Sequence, residues 1–194
     1  MDLQLRNKTA LVTGSDSRTG KVIADVLSAE GAQVIYHGND EAPPMPMAVV
    51  GDITTEEGSA QVLEQVAALD CSVDILVNNY GTTDNHRWTD ADTATWLSLY
   101  QINTLSALRM ASGLVDGMKD SGWGRIVNLG TAGTFKPSAA RPAYYAAKSA
   151  LAVMGASLAQ ELAGTGITVN TVSPGLIRTE QVEAGYTRLA RKLG

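Results

Sequence analysis

The chain has 194 residues, 15 of them Lys or Arg and 20 Asp or Glu, for a formal net charge of −5. A pI near 5.0 with no basic run lacks the electrostatic footprint of a nucleic-acid binder or of a membrane-surface protein. No apolar stretch approaches the roughly 18 residues of a membrane span, no apolar segment of a secretory signal follows Met1-Asp2-Leu3-Gln4, and one Cys with two His makes a thin metal site. The expectation is a cytoplasmic single domain, 1–194, that handles a small molecule, with no nucleic acid, no membrane and no metal.

Short β-branched runs alternate with helical stretches, the pattern of a parallel α/β sheet. Thr9–Val12 predicts a first strand, stopped by Thr13-Gly14, and Lys21–Glu30 a first helix with Gly31 at its C′ position. Gln33–Tyr36 and Ala48–Val50 predict the second and third strands, joined by the Pro-rich loop Glu41–Pro46 in place of a crossover helix. Thr55 suits the cap of a helix Glu56–Ala68, with Glu56 and Glu57 where the helix dipole favours anions. Asp74–Val77 is the fourth strand, Arg125–Leu129 the fifth and Ile167–Val172 the sixth. Between them lie two longer helical segments, Ala91–Lys119 (with a break) and Pro142–Ala163. Apolar runs that do not alternate suit strands covered on both faces, so the architecture predicted is a doubly wound parallel sheet of about six strands.

Thr13-Gly14-Ser15-Asp16-Ser17-Arg18-Thr19-Gly20 lies between the first strand and the first helix. Amides at a helix N-terminus favour a phosphate, and Gly14 and Gly20 permit a tight turn and close helix–strand packing. A glycine pair alone is equally at home in a plain structural turn; the βαβ context favours a dinucleotide. Tyr144 and Lys148, four apart in a helical stretch, share one face. A phenol titrates near 10, and a cation about 4 Å away at an effective dielectric of about 20 contributes on the order of 4 kcal/mol, enough to bring it toward neutrality. The alternative is a surface contact that does no chemistry.

The glycine turn resembles T-G-x-x-x-G-x-G of the short-chain dehydrogenases/reductases, with Arg18 where the middle glycine is expected. In that family a catalytic serine precedes the Tyr-x-x-x-Lys pair by about thirteen residues, and an asparagine precedes the serine by about twenty-eight. Those positions here are Thr131, a hydroxyl in place of a hydroxyl, and Asn103. Ser138 is a rival hydroxyl and Tyr145 a rival tyrosine, but both break this register. Asn78-Asn79-Tyr80-Gly81 is similar to the family's N-N-A-G, Gly51-Asp52-Ile53 to its adenine-contacting segment, and Ser173-Pro174-Gly175-Leu176-Ile177-Arg178-Thr179 to its P-G-x-x-x-T segment. The resemblance runs along essentially the whole chain.

That resemblance implies a Rossmann-type fold and an oxidoreductase, closest in look to 3-oxoacyl-carrier-protein reductases, that interconverts a small-molecule carbonyl and alcohol. Asn103, Thr131, Tyr144 and Lys148 would be catalytic: Tyr144 the proton donor, Thr131 the donor to the carbonyl oxygen, Lys148 the cation that lowers Tyr144 and holds the nicotinamide ribose, Asn103 the holder of a relay water. The dinucleotide would lie against Gly14, Ser15, Ser17, Arg18, Thr19, Gly20, Gly38, Asn39, Asp52, Ile53, Asn79, Gly81, Tyr144, Lys148, Pro174, Gly175, Ile177 and Thr179. Gly38 offers no carboxylate to ribose hydroxyls and Arg18 offers a cation to a 2′-phosphate, so NADP(H) is favoured over NAD(H), with Asp40 as the competing acid. Family members run to about 250 residues and form homodimers or homotetramers; the family's last strand and helix would fall beyond Gly194. The rival readings are a nucleotide-binding sensor or scaffold without turnover, and a pteridine-reductase-like enzyme.

Overall fold

In the computed structural model, which describes residues 3–177 and Thr187, six strands form one fully parallel sheet. The elements run β1 (Thr9–Val12), α1 (Arg18–Ala29), β2 (Gln33–Gly38), β3 (Ala48–Val50), α2 (Glu56–Ala67), β4 (Ile75–Asn78), α3 (Thr93–Tyr100), α4 (Ser106–Ser121), β5 (Gly124–Leu129), α5 (Pro142–Glu161) and β6 (Ile167–Val172). The strand order is β3-β2-β1-β4-β5-β6, so the chain switches direction across the sheet between β1 and β4. In such sheets the crevice beyond the strand C-termini at that switch is where a ligand sits.

The continuous apolar runs follow from burial on both faces. Along β1, Ala10 and Val12 enter one core cluster with Ala24, Val34, Tyr36 and Val77, while Leu11 enters the other with Ile35, Leu76, Met110 and Ile126. Alternate side chains of a strand point to opposite faces, so both halves of the run must be apolar.

Local signals set most of the boundaries. The Thr55 hydroxyl accepts from the Gly58 amide at 3.0 Å and starts α2, and Gly31 at φ +97° follows the end of α1. The largest departure from the sequence pattern is at the start of α1, and the expected break in the long segment is a π-turn. α1 begins at Arg18, one turn earlier than Lys21, after an extended Ser17. The long segment over Ala91–Lys119 is three pieces, because residues Gln101–Leu105 form a π-turn between α3 and α4. There the Ser106 amide reaches back to the Gln101 carbonyl, a five-residue step. Among the described residues no helix is long and apolar enough to cross a membrane.

Candidate active site

A cleft of about 550 Å³ opens at the C-terminal edge of the sheet, over the switch between β1 and β4. Its walls come from the ends of five strands: the turn after β1, Asn39 and Asp40 after β2, Asn79–Thr83 after β4, Leu129–Thr131 around the end of β5, and Pro174, Gly175 and Ile177 after β6. Tyr144 and Lys148 from α5 and Asn103 from the π-turn complete it.

The glycine turn is built for close approach. Gly14 sits at φ +61°, and a Cβ at Gly20 would collide with the Gly14 carbonyl oxygen and lie 2.5 Å from Asn79 Nδ2. That Asn79 amide donates to the carbonyls of Thr13 (2.9 Å) and Gly14 (3.1 Å), locking the turn to the end of β4. Gly14, Ser17, Arg18, Thr19 and Gly20 all line the cleft at the N-terminus of α1. Arg18 is itself at φ +51°, the left-handed region that costs an L side chain about 1–2 kcal/mol. The backbone at this position has the geometry glycine favours, which is why Arg is the unusual residue there.

The four residues expected to carry chemistry meet in this cleft. Lys148 is buried, and its Nζ donates to the Leu129 carbonyl at 2.7 Å; burial lowers its pKa from 10.5 to about 8. Asn103 Nδ2 donates to the carbonyls of Leu99 and Thr82, both at 2.9 Å, while its buried Oδ1 has no protein partner. A Cβ on Gly81 would stand 2.7 Å from that Oδ1 and 3.2 Å from Lys148 Nζ, so both polar atoms converge on the bare face of Gly81. The π-turn helps aim Asn103: its amide occupies the carbonyl four residues back, where the helix has widened, and neighbouring Thr104 Oγ1 anchors to the Ala147 carbonyl of α5 at 2.8 Å. Thr131 starts a short 3₁₀ turn, its Oγ1 accepting from the Gly133 amide at 3.2 Å.

Tyr144 departs from expectation in one respect. Its pKa is raised, because burial outweighs hydrogen bonding with Thr131 and the nearby Arg141 charge. The downward pull expected from Lys148 is not the dominant influence in this geometry, since that ammonium is turned onto the Leu129 carbonyl. Tyr144 is therefore a neutral phenol, a group with a proton to give. Of the rivals, Tyr145 packs its ring on Gly133 and Ser138 donates to the Ala140 carbonyl; neither lines the cleft.

Four residues expected at the cofactor lie outside the cleft lining. Ser15 is buried, with its hydroxyl donating to the Val12 carbonyl at 2.7 Å; Ile53 is in the core; Asp52 accepts from the Thr54 amide and hydroxyl. Gly38 is buried, and a Cβ there would strike the Glu41 carbonyl oxygen, so the loop closes over the place where a longer side chain would stand. Thr179 lies outside the described residues. Conversely, Asp16, Thr82, Thr83 and Gly130 line the cleft without having been singled out. Their adjacency to the glycine turn, to Gly81 and to Thr131 was the available signal. Tyr80, where the related motif has alanine, puts its ring 3.1 Å from a Cβ position on Gly14.

Comparison with known proteins shows the family and the fold. The short chain dehydrogenase family profile matches residues 8–188. The 3-oxoacyl-[acyl-carrier-protein] reductase FabG of Vibrio cholerae is 33% identical, over 94% of this chain and 78% of that protein. The crystal structure of a 3-oxoacyl reductase from Agrobacterium tumefaciens with NADP bound superposes with a TM-score of 0.89 at 27% identity, over 97% of this chain and 78% of that one. L-Sorbose reductase from Gluconobacter frateurii, complexed with NADPH and L-sorbose, gives 0.92 at 31% identity, over 100% and 79%.

Proposed function

The chain belongs to the short-chain dehydrogenase family of oxidoreductases, and on that premise we propose that it interconverts a small-molecule carbonyl and its alcohol with NADP(H). The observation that carries the reading is the convergence of Tyr144, Thr131, Lys148 and Asn103 on a cleft whose other end is the glycine turn. The residues fit a dinucleotide: Gly14 and Gly20 let the turn pack tightly against Tyr80 and Asn79 while the α1 N-terminus lines the cleft where a pyrophosphate would lie, and Arg18 suits a 2′-phosphate. Gly38 with the Glu41 carbonyl against it leaves no place for a ribose-binding carboxylate at that position, which further favours NADP(H).

The reduced dinucleotide, when bound, supplies the hydride that goes to the carbonyl carbon. Tyr144, neutral in its buried setting, gives its proton to the carbonyl oxygen. Thr131 donates a hydrogen bond to that oxygen and stabilises charge developing there. Lys148, whose Nζ lies beside the bare face of Gly81, would hold ribose hydroxyls and, through its charge, favour the phenolate as the proton leaves. The unpaired Asn103 Oδ1 is the acceptor for a relay water.

Substrate is tested by following NADPH oxidation against ketones, 3-oxoacyl thioesters, quinones and pterins. Turnover of at least one carbonyl compound is expected; no turnover combined with no NADPH binding overturns the reading.

We further propose a homodimer through α3–α4 and α5. The outward face of α5 carries Ala146, Ala156 and the 71%-exposed Val153, and α3 and α4 expose Leu97, Tyr100 and Leu108. Small side chains let a second helix approach closely. Of the small residues on α5, Ala147 and Gly155 are spent on packing inward.

A further inference from the structure

His37 is wholly buried in β2 and does not line the cleft, yet it holds the cleft's phosphate-facing turn in place. Its Nδ1 accepts from the Gly14 amide at 3.0 Å, and its Nε2 lies 3.0 Å from the Gly51 carbonyl. A carbonyl oxygen can only accept and an amide N–H can only donate, so the ring proton must sit on Nε2 and Nδ1 must be bare. The main chain repeats the connection: the Ser15 amide donates to the His37 carbonyl and the His37 amide to Ser15 Oγ, both at 2.9 Å. One residue thus ties the turn after β1 to the end of β3.

We propose that His37, as the neutral Nε2–H tautomer, is the positioning residue for the glycine turn, so that removing its Nδ1 acceptor weakens dinucleotide binding while sparing turnover at saturation. This rests on reading the cleft as a dinucleotide site. Gly14 adopts φ +61° and leaves its amide pointing at the ring; without that acceptor a buried donor is unpaired and the turn must shift to satisfy it. The turn is the surface against which the pyrophosphate would lie, whereas Tyr144 and Thr131 stand at the other end on different elements.

The groups that face the imidazole are Asp16 from the turn, Asp52 from the end of β3 and the Tyr80 ring, edge-on with centroids 6.3 Å apart, from the end of β4. The carboxylates favour the imidazolium, but burial outweighs them and keeps the ring neutral.

Nitrogen-15 NMR of the imidazole in the protein without cofactor reads the tautomer directly, and calorimetry with NADPH and with oxidised NAD reads affinity. His37→Asn keeps an acceptor at the Nδ1 position and drops the Gly51 donor; His37→Leu removes both. A proton on Nε2 is expected, with His37→Asn within about threefold of wild type and His37→Leu weaker by on the order of tenfold, one buried hydrogen bond. kcat at saturating cofactor should be level in both. Should His37→Leu not fold, wild-type affinity for oxidised NAD, which has no 2′-phosphate to titrate, should fall where the buried ring takes up a proton, at a pH below the ordinary imidazole range, while His37→Asn stays level. A proton on Nδ1, equal losses in both variants, or identical pH dependence in wild type and His37→Asn overturns the proposal. Wild type that binds neither dinucleotide overturns the cofactor reading instead, and the tautomer still reports on the His37 geometry.

Discussion

The ammonium of Lys148 donates to the main-chain carbonyl of Leu129 at 2.7 Å, tying the middle of α5 to the last residue of β5. The bond joins the helix that carries Tyr144 to the strand end that leads into Thr131, and with the Thr104–Ala147 anchor it helps hold the proton donor near its hydroxyl partner. It also leaves the lysine buried with a single carbonyl and a pKa near 8 rather than 10.5.

That shift predicts a pH signature in stability. The unfolded chain keeps the lysine proton up to about pH 10.5, whereas the folded chain releases it near 8. Between those values the unfolded state binds more protons, so this residue's contribution to stability rises with pH. Urea unfolding of wild type and Lys148→Met should diverge above about pH 8, wild type gaining up to about 3 kcal/mol relative to the variant by pH 10. Parallel stability curves would show that the lysine is not buried as a charge.

Tyr144→Phe should lower carbonyl reduction by on the order of 10²–10⁴ while leaving NADPH affinity within a few-fold, because it removes the proton donor and little of the binding surface. Tyr145→Phe should remain active, since that ring packs on Gly133 outside the cleft. Steady-state kinetics and calorimetry separate the two, and equal damage from both substitutions would refute the register.

Arg18→Gly should cut two ways. The left-handed φ of +51° suits glycine, so thermal stability should be unchanged or raised, by up to about 1 kcal/mol. NADPH should bind more weakly relative to NADH, because the cation available to a 2′-phosphate is gone. Unchanged discrimination between the two cofactors would remove Arg18 from that role.

Light scattering at micromolar concentration should give about twice the chain mass of 20.4 kDa. Val153→Glu, which puts a charge in the middle of the exposed α5 face, should shift the population toward the single chain without loss of fold, read by circular dichroism. A wild-type mass of one chain, unchanged on adding NADPH, counts against the dimer.

What the sequence determined by itself was whatever depends on neighbours along the chain. Each of the six strands appears within two residues of its expected bounds, because a strand covered on both faces must be apolar throughout, and that reads as an unbroken run. Tyr144 and Lys148 share a face because four residues is close to one helical turn. The Thr55 cap and the Gly31 turn rest on chemistry confined to three or four residues. Tertiary structure alone decided the rest. The π-turn that carries Asn103 is accompanied by an anchor to Ala147, 43 positions away from Thr104 along the chain, and no local pattern announces it. Ser15 and Ile53 are buried, Ser15 hydrogen-bonded with Val12 and His37 and Ile53 in the core cluster that holds Val62 and Val66 of α2. The upward direction of the Tyr144 shift is likewise absent from the sequence pattern. Spacing brought a cation onto its face, but desolvation depends on what surrounds the ring, and only the packed molecule sets that.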